Sequence, residues 1–242
     1  PNSKLVILWA MNPAVIIDGC GTAYHLALAH EKGTKFIVVD PRLTDTAAMV
    51  ADQWIPIRPG TDSAAMIAMA YVMITEDLYD KAFINKYTVG FDKFKEYVLG
   101  QEDGVAKTPK WAEAITGVPA QDIVELAREY ATIKPAALLP SKGPGRTAFG
   151  EQYHRAAFTL AAMTGNIGKV GGSAGSEITQ RGEIPFPMGP AMKTGGNPVD
   201  AGSPMRKDAL PTPISKGPGL VARLHNSEIW DAILKGKAGG YY

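Results

Sequence analysis

The sequence predicts an α/β fold: a doubly wound, mostly parallel sheet flanked by helices (Rossmann-like), followed by an irregular extension rich in glycine and proline. Short, continuous apolar runs alternate with helical patterns in the first part of the chain, which is typical of strands buried on both faces of a parallel sheet. Right-handed crossovers between such strands produce a doubly wound sheet. From Gly171 to Gly219 there are ten glycines and eight prolines with one aromatic residue, Phe186, so this segment is expected either to wrap another surface or to be disordered. We therefore predict one domain at 1–170 and an extension at 171–242.

The first part of the chain supplies three strands and three helices. The predicted strands are "KLVILWA" (Lys4–Ala10), "TKFIVVD" and "QWIPI". The predicted helices are "TAYHLALAHEKG", ending at Gly33; "TDTAAMVAD", capped by Thr44; and "TDSAAMIAMAYVMITEDLYD", capped by a threonine or aspartate. In the first helix, the spacing predicts that Tyr24, Ala27 and Leu28 share one face.

The middle of the chain is predicted to be mainly helical before one more strand. The helices are "FDKFKEYVLG", "TPKWAEAITG" and "PAQDIVELAREYATI", the last with a periodic apolar face of Ile123, Leu126, Ala127 and Tyr130. A short buried strand, "PAALLP" (Pro135–Pro140), then leads into the glycine-rich loop "SKGPGRTAFG" and the helix "EQYHRAAFTLAAMTG", which closes on Gly165. Within the extension, "SEIWDAILKG" predicts a short terminal helix.

Composition and motifs exclude several functional classes. A net charge of +1 argues against the broad basic surface of a nucleic-acid-binding protein. The single cysteine, Cys20, cannot form an internal disulfide, and it cannot alone hold an iron–sulfur cluster, which takes about four thiolates. The four histidines share no metal-binding spacing, and no nucleophile–base signature is present. We therefore predict neither a metal ligand nor a catalytic residue, and interpret the chain as a binding domain.

The second strand ends in a pair of charges that favours a nucleotide. A carboxylate such as Asp40 can accept two parallel hydrogen bonds from the N–H edge of guanine, or bonds from a ribose diol, and Arg42 can bind a phosphate bidentately. Pro41 stiffens the turn between them. The alternative is structural: a cap of the next helix with a surface ion pair.

Two other strand ends carry similar candidates. After the third strand, Pro59 and Gly60 form a tight turn, and Thr61 and Asp62 either cap the next helix or contact a base edge. After the first strand, the amide of Asn12 can donate to a phosphate or sugar, although Asn-Pro is also an ordinary turn. Because the carboxyl ends of parallel strands meet at one edge of the sheet, these side chains are expected to gather there.

A nicotinamide dinucleotide is an alternative ligand. Gly19 and Gly21 form a G-x-G, and Asp40 lies at the usual distance for a ribose-binding acid. However, the third position of the fingerprint is Tyr24, and the glycines lie well beyond the strand instead of in its turn. The motif of an NAD-dependent dehydrogenase is therefore half present.

Taken together, the motifs resemble the molybdopterin oxidoreductases of the dimethyl sulfoxide reductase type. The matching segments are "LWAMNPA", "FIVVDPRLTDTA", "ADQWIPIRPGTDSAAMIAMAYVMI", "LYDKAFINKYTVGFDKF", "WAEAITGVPAQDIVELAREYA" and "KGPGRTAFGEQYHRAAFTLAAMTGNIGKVGG". Their order and spacing cover roughly residues 4 to 172. The resemblance implies the Rossmann-like domain of a catalytic subunit, which holds one guanine dinucleotide of a bis(molybdopterin guanine dinucleotide) cofactor with molybdenum or tungsten.

The resemblance also implies roles for individual residues. Asn12 would lie near the cofactor phosphates, Asp40 and Arg42 would line the nucleotide pocket, and the turn from Pro59 to Asp62, through Gly60 and Thr61, would contact the guanine end. The loop with Gly143 and Arg146 would approach the pterin side.

Several parts that the family carries are absent from this sequence. They are the N-terminal cysteine cluster, often binding an iron–sulfur centre, the residue that binds the metal, and the domain for the second pterin nucleotide. We therefore interpret the chain as an excised domain that is inactive alone and packs, with its extension, on the remaining domains of its subunit. The resemblance places the iron–sulfur cluster elsewhere in the parent. It also implies an iron–sulfur electron-transfer subunit and a membrane anchor as partners. For the parent it implies a periplasmic or membrane-associated bacterial complex, with a cytoplasmic location as the alternative. A free-standing nucleotide-binding module is the alternative.

Overall fold

A four-stranded sheet forms the centre of the molecule in the computed structural model, which describes residues 2–16 and 21–175. All pairings are parallel, and the strand order is β3-β2-β1-β4. The strands are β1 (Leu5–Trp9), β2 (Lys35–Val39), β3 (Gln53–Ile55) and β4 (Ala136–Pro140). The predicted α/β fold with a doubly wound parallel sheet is confirmed. Gly19, Cys20 and the predicted terminal helix lie outside the described residues.

Eight helices and one 3₁₀ turn connect the strands within the described residues. They are α1 (Thr22–Glu31), α2 (Asp45–Val50), α3 (Asp62–Thr75), α4 (Lys81–Tyr87), α5 (Phe91–Val98), α6 (Pro109–Thr116), α7 (Ala120–Thr132), the 3₁₀ turn (Pro144–Arg146) and α8 (Glu151–Met163). No helix in this part of the chain has both the length and the apolar character needed to cross a membrane.

The strands bury apolar side chains on both faces of the sheet. On one face, Ile7 and Trp9 pack in a cluster with residues of α3, α6, α7 and α8. On the other, Val6 and Leu8 pack with residues of α1 and α2. Every residue of β1 is buried, as expected for a central strand covered on both faces. In the described part of the chain, the sheet is therefore held between two helical layers.

Most of the predicted helix boundaries are confirmed. Thr44 caps α2 by accepting a hydrogen bond from Ala47 N at 3.1 Å. Gly33 and Gly165 follow α1 and α8 with φ angles of 87° and 64°, a conformation that favours glycine after a helix. The predicted apolar face of α7 is buried.

Three details go beyond the predictions. In α1 the buried residue is Leu26, whereas Tyr24, on the predicted face, is 64% exposed. The pattern of the third helix is interrupted at Thr75, and α3 ends there; Asp77 takes a φ of 58°, and α4 begins after its own cap, Asp80. Thr61 occupies the N-cap position of α3, but its side chain forms no capping hydrogen bond.

The outer edge of β4 is occupied by side chains instead of another strand. The hydroxyl of Ser173 accepts from Leu138 N at 2.9 Å and donates to Leu138 O at 2.8 Å. Asn166 Oδ1 accepts from Ala136 N at 3.2 Å. The segment comes so close that a Cβ on Gly172 would lie 2.1 Å from Asn166 O. This packing satisfies part of an otherwise open edge. The domain boundary at residue 170 stays a prediction.

Candidate nucleotide-binding site

A buried hydrogen bond joins the central strand to the start of α3. Trp9 Nε1 donates to Asp62 Oδ1 at 2.8 Å. Trp9 is 0% exposed and Asp62 4%, so water does not compete for either group. Trp9 is the last residue of β1 and Asp62 is the first of α3, and the bond therefore fixes the N-terminus of α3 over the carboxyl end of β1.

Trp9 also holds the elements that follow β4. Its backbone carbonyl accepts from Ser141 N at 2.9 Å and from the buried hydroxyl of Tyr153 at 3.2 Å. Ser141 begins the loop after β4, and Tyr153 lies in α8. One residue thus connects β1, α3, α8 and the loop after β4 at a single edge of the sheet.

The carboxyl group of Asp62 is electrostatically unusual. Burial raises its pKa above the ordinary value of 3.8, against the opposing effect of the hydrogen bond from Trp9. Hydrogen bonds from its own backbone N–H and that of Gly60 also oppose the rise, whereas the charge of Asp40 adds to it. Asp40 and Asp62 therefore interact electrostatically at this edge. The pKa of Tyr153 is also raised, chiefly by burial and secondly by the charge of Asp62.

Asp40 is held at the end of β2 with part of its carboxylate free. Its Oδ1 accepts from Arg42 N at 2.9 Å, and its backbone carbonyl accepts from Trp54 Nε1 at 2.9 Å. No described residue donates to Oδ2. The guanidinium of Arg42 is exposed and forms no ion pair with the described residues. The turn thus leaves one oxygen of a largely buried carboxylate, in a residue 9% exposed, and one exposed cation without a partner among the described residues.

Asn12 is a structural residue with unused donors. Its Oδ1 accepts from the hydroxyl of Thr46 at 2.7 Å and from Thr46 N at 3.3 Å. The same hydroxyl accepts from Ala14 N at 3.0 Å, so Thr46 fixes the loop after β1 against α2. The side-chain amide nitrogen of Asn12, in a residue only 9% exposed, has no acceptor among the described residues.

The turn after β3 is attached to the end of α6 by Arg58. Arg58 Nη1 donates to the carbonyls of Ala114 at 3.1 Å and Ile115 at 3.2 Å, at the end of α6. The Thr61 hydroxyl donates to Arg58 O at 2.7 Å. One nitrogen of the Arg58 guanidinium is therefore bound to the end of α6, whereas that of Arg42 has no such partner among the described residues. Pro59 and Gly60 remain exposed, and Gly60 has a φ of 79°.

The loop after β4 is tightly folded and reaches the turn after β3. A Cβ on Gly150 would lie 2.4 Å from Gly145 O, and a Cβ on Gly60 would lie 3.8 Å from Thr147 Cγ2. Gly143 has open space around it. Arg146 is exposed and forms no ion pair with any residue in the described ranges. The structure therefore brings Gly60, Asp62 and the loop after β4 together.

Sequence reasoning missed the residues that organise this edge: Trp9, Thr46 and Tyr153. A tryptophan at the end of a buried strand was the available signal, because a buried indole N–H usually needs an acceptor. Within the described residues, no group of three histidine, cysteine or acidic side chains could hold a metal ion.

A family model described as molybdopterin oxidoreductase matches residues 1–227. The chain belongs to this family. It is 44% identical over 238 residues to the dimethyl sulfoxide reductase DmsA of Escherichia coli (strain K12), covering 91% of this chain and 28% of that protein. It is 40% identical over 198 residues to a dimethyl sulfoxide/trimethylamine N-oxide reductase of Rhodobacter capsulatus, covering 79% of this chain and 24% of that protein. The chain thus spans about a quarter of the length of these relatives.

A solved structure supports the same placement. Acetylene hydratase from Pelobacter acetylenicus matches with a TM-score of 0.58 and 33% identity, covering 68% of this chain and 22% of that protein. These similar proteins are two reductases and a hydratase, so membership of the family does not by itself fix the reaction.

The raised pKa of Asp62 predicts a pH-dependent contribution to stability. A buried acid with a raised pKa stabilises the folded state below its ordinary pKa, and this contribution is lost as pH rises through the raised value. Asp62→Asn keeps an acceptor for Trp9 without the charge. We expect the unfolding free energy of wild type minus that of Asp62→Asn to fall as pH rises from about 4 to 7. Urea unfolding across this range measures the difference.

Glu76→Gln provides a control of opposite sign. Arg128 donates two hydrogen bonds to Glu76, at 2.8 Å each, and they lower the pKa of Glu76 below its ordinary value of 4.5. For Glu76→Gln the same difference should therefore rise with pH. A flat or rising difference for Asp62→Asn would contradict the burial of its charge.

The crowded loop after β4 predicts different tolerances for two glycines. Gly150→Ala places a Cβ against the Gly145 carbonyl, so the backbone must shift, at a cost of roughly 1–3 kcal/mol. Gly143→Ala meets nothing within 4 Å and has an allowed φ of −52°, so we expect no loss of stability. Thermal melting of both variants tests this, and equal melting temperatures would show that the loop is not packed as described.

Proposed function

We propose that this chain binds the guanine nucleotide of a molybdopterin guanine dinucleotide, one of two such cofactors in the catalytic subunit of a molybdenum or tungsten oxidoreductase. The observation that carries the proposal is a set of polar groups left available at the carboxyl edge of the sheet. They are Oδ2 of Asp40, the amide nitrogen of Asn12, and the guanidinium groups of Arg42 and Arg146. Family membership supplies the class of cofactor.

These groups fit a guanine nucleotide chemically. A carboxylate suits the donor edge of guanine, an amide suits a sugar or phosphate oxygen, and an arginine suits a diphosphate. In this proposal Asp40 contacts the base, Arg42 and Asn12 contact the phosphates, and Pro59, Gly60 and Thr61 line the guanine end. Asp62 supports that end through its hydrogen bond to Trp9. Gly143 and Arg146 lie toward the pterin side.

The strand order supports this proposal, because ligands bind in open α/β sheets at the point where the order of the strands reverses. The chain passes from β1 to β2 and β3 on one side, and then returns to β4 on the other side of β1. The loops after β1 and β4 therefore leave in opposite directions, which opens a crevice at the carboxyl ends of these strands.

In this proposal the cofactor, and not a side chain of this chain, carries out the reaction. Such a cofactor carries the electron and oxygen-atom chemistry, and the protein supplies binding, orientation and electrostatics. This chain contributes to binding and orientation. The relatives are a dimethyl sulfoxide reductase and a dimethyl sulfoxide/trimethylamine N-oxide reductase, and we propose a respiratory-type reductase or dehydrogenase as the parent enzyme. We further propose that the parent works with the remaining domains of its subunit, an iron–sulfur subunit and a membrane anchor, in a periplasmic or membrane-associated complex.

Nucleotide titrations of the 242-residue chain test the proposal. By isothermal titration calorimetry, GDP should bind more tightly than ADP or NADH. Asp40→Asn should weaken GDP binding roughly ten- to a hundredfold, since it breaks charge-assisted hydrogen bonds of about 1.5–3 kcal/mol. Its melting temperature should change little, because an asparagine can still accept from Arg42 N.

Asp52→Asn is the matched control at the opposite edge of the sheet. Asp52 also accepts from a backbone N–H, that of Phe36 at 2.7 Å, but no candidate site residue lies beside it. We expect GDP binding to be unchanged. Preference for NADH would instead favour the dehydrogenase alternative. Equal loss of GDP affinity in both variants would remove Asp40 from the site.

A further inference from the structure

Phe149 combines high exposure with an uncommon backbone conformation. Its side chain is 81% exposed and its φ is 57°, in the left-handed region that bulky residues avoid. Its ring forms no ring–ring contact within the described part of the chain. Glycine or asparagine would suit this position better if only the turn mattered. Strained residues of this kind cluster at ligand sites.

The surrounding loop, and not the ring, holds Phe149 in this conformation. Thr147 O accepts from Gly150 N at 3.0 Å, and Phe149 O accepts from Gln152 N at 3.1 Å. Gly150 and Gly145 are in close contact, as described above. These interactions involve backbone groups on both sides of residue 149, so the ring is displayed by a rigid frame.

The position of Phe149 connects it with the proposed ligand. It lies on the loop after β4, two residues from Thr147, whose methyl group lies close to Gly60. Gly60 belongs to the turn assigned to the guanine end, and the same loop carries Arg146. An exposed aromatic ring on this loop offers an apolar face, which is the kind of surface on which proteins stack a flat heterocycle.

We propose that Phe149 is a ligand-contacting residue that stacks on a flat ring of the bound cofactor. Guanine and pterin share a 2-amino-4-oxopyrimidine ring, so either end of the dinucleotide offers the chemistry that this side chain recognises. This inference rests on the proposed function, and it adds an apolar contact to a site otherwise built from charges and amides.

The test compares binding with stability in the 242-residue chain. Phe149→Gly removes the ring and relieves the left-handed strain. We expect the melting temperature to stay equal or rise, while affinity for GDP or for neopterin falls about fivefold to a hundredfold, as for lost base–aromatic stacking. Phe149→Tyr should retain affinity. Calorimetry with GDP and fluorescence quenching with neopterin provide the two arms.

Each outcome decides a separate question. Weaker GDP binding assigns Phe149 to the guanine end, and weaker neopterin binding assigns it to the pterin end. Unchanged affinity for both, while wild type binds GDP, overturns this inference alone and points to a contact with another protein surface. No GDP binding by wild type overturns the proposed function itself. Tyr87→Ser removes another exposed aromatic ring, at the end of α4, and should change neither affinity.

Discussion

The buried hydrogen bond between Trp9 and Asp62 is the constraint on which the candidate site depends. It places the N-terminus of α3 over the end of the central strand, while the carbonyl of Trp9 positions Ser141 and Tyr153. Loss of either partner would leave a polar group buried without its bond, which costs about 1–3 kcal/mol. The loops after β1, β3 and β4 are therefore positioned through one residue in the most protected strand of the sheet.

This arrangement divides the site residues into two groups. One group hydrogen-bonds to other residues of the protein and holds the loops in place: Asp62, Thr46 and Arg58. Asp40, although only 9% exposed, keeps one carboxylate oxygen without a described donor, and Arg42 keeps an exposed guanidinium. A site that binds a large anionic cofactor needs both groups. If the loops were not already held in place, the entropy cost of ordering them on binding would weaken the affinity for the cofactor. Phe149 follows the same division, because backbone hydrogen bonds hold its loop while its exposed ring makes no ring–ring contact with the described residues.

The sequence predicted the fold well because apolar periodicity and the residues that begin or end helices depend on short-range sequence. The apolar runs, the cap at Thr44 and the glycines after α1 and α8 depend on near neighbours along the chain. The site was only partly predictable. Position in sequence placed Asn12, Asp40 and Asp62 at strand ends, but the partners of Asp62 and Arg58 lie more than 50 residues away. Such distant pairings decide whether a side chain faces the ligand or the core.

The most direct measurement of the central claim is a two-dimensional NMR titration of ¹⁵N-labelled chain with GDP, following the indole N–H signals. Trp9 bonds to Asp62 and Trp54 to the carbonyl of Asp40, so both indoles should report on the ligand. Trp111, at the start of α6, should not. The account predicts shifts for Trp9 and Trp54 with Trp111 unchanged. Binding that moves Trp111 while Trp9 and Trp54 stay in place would contradict it.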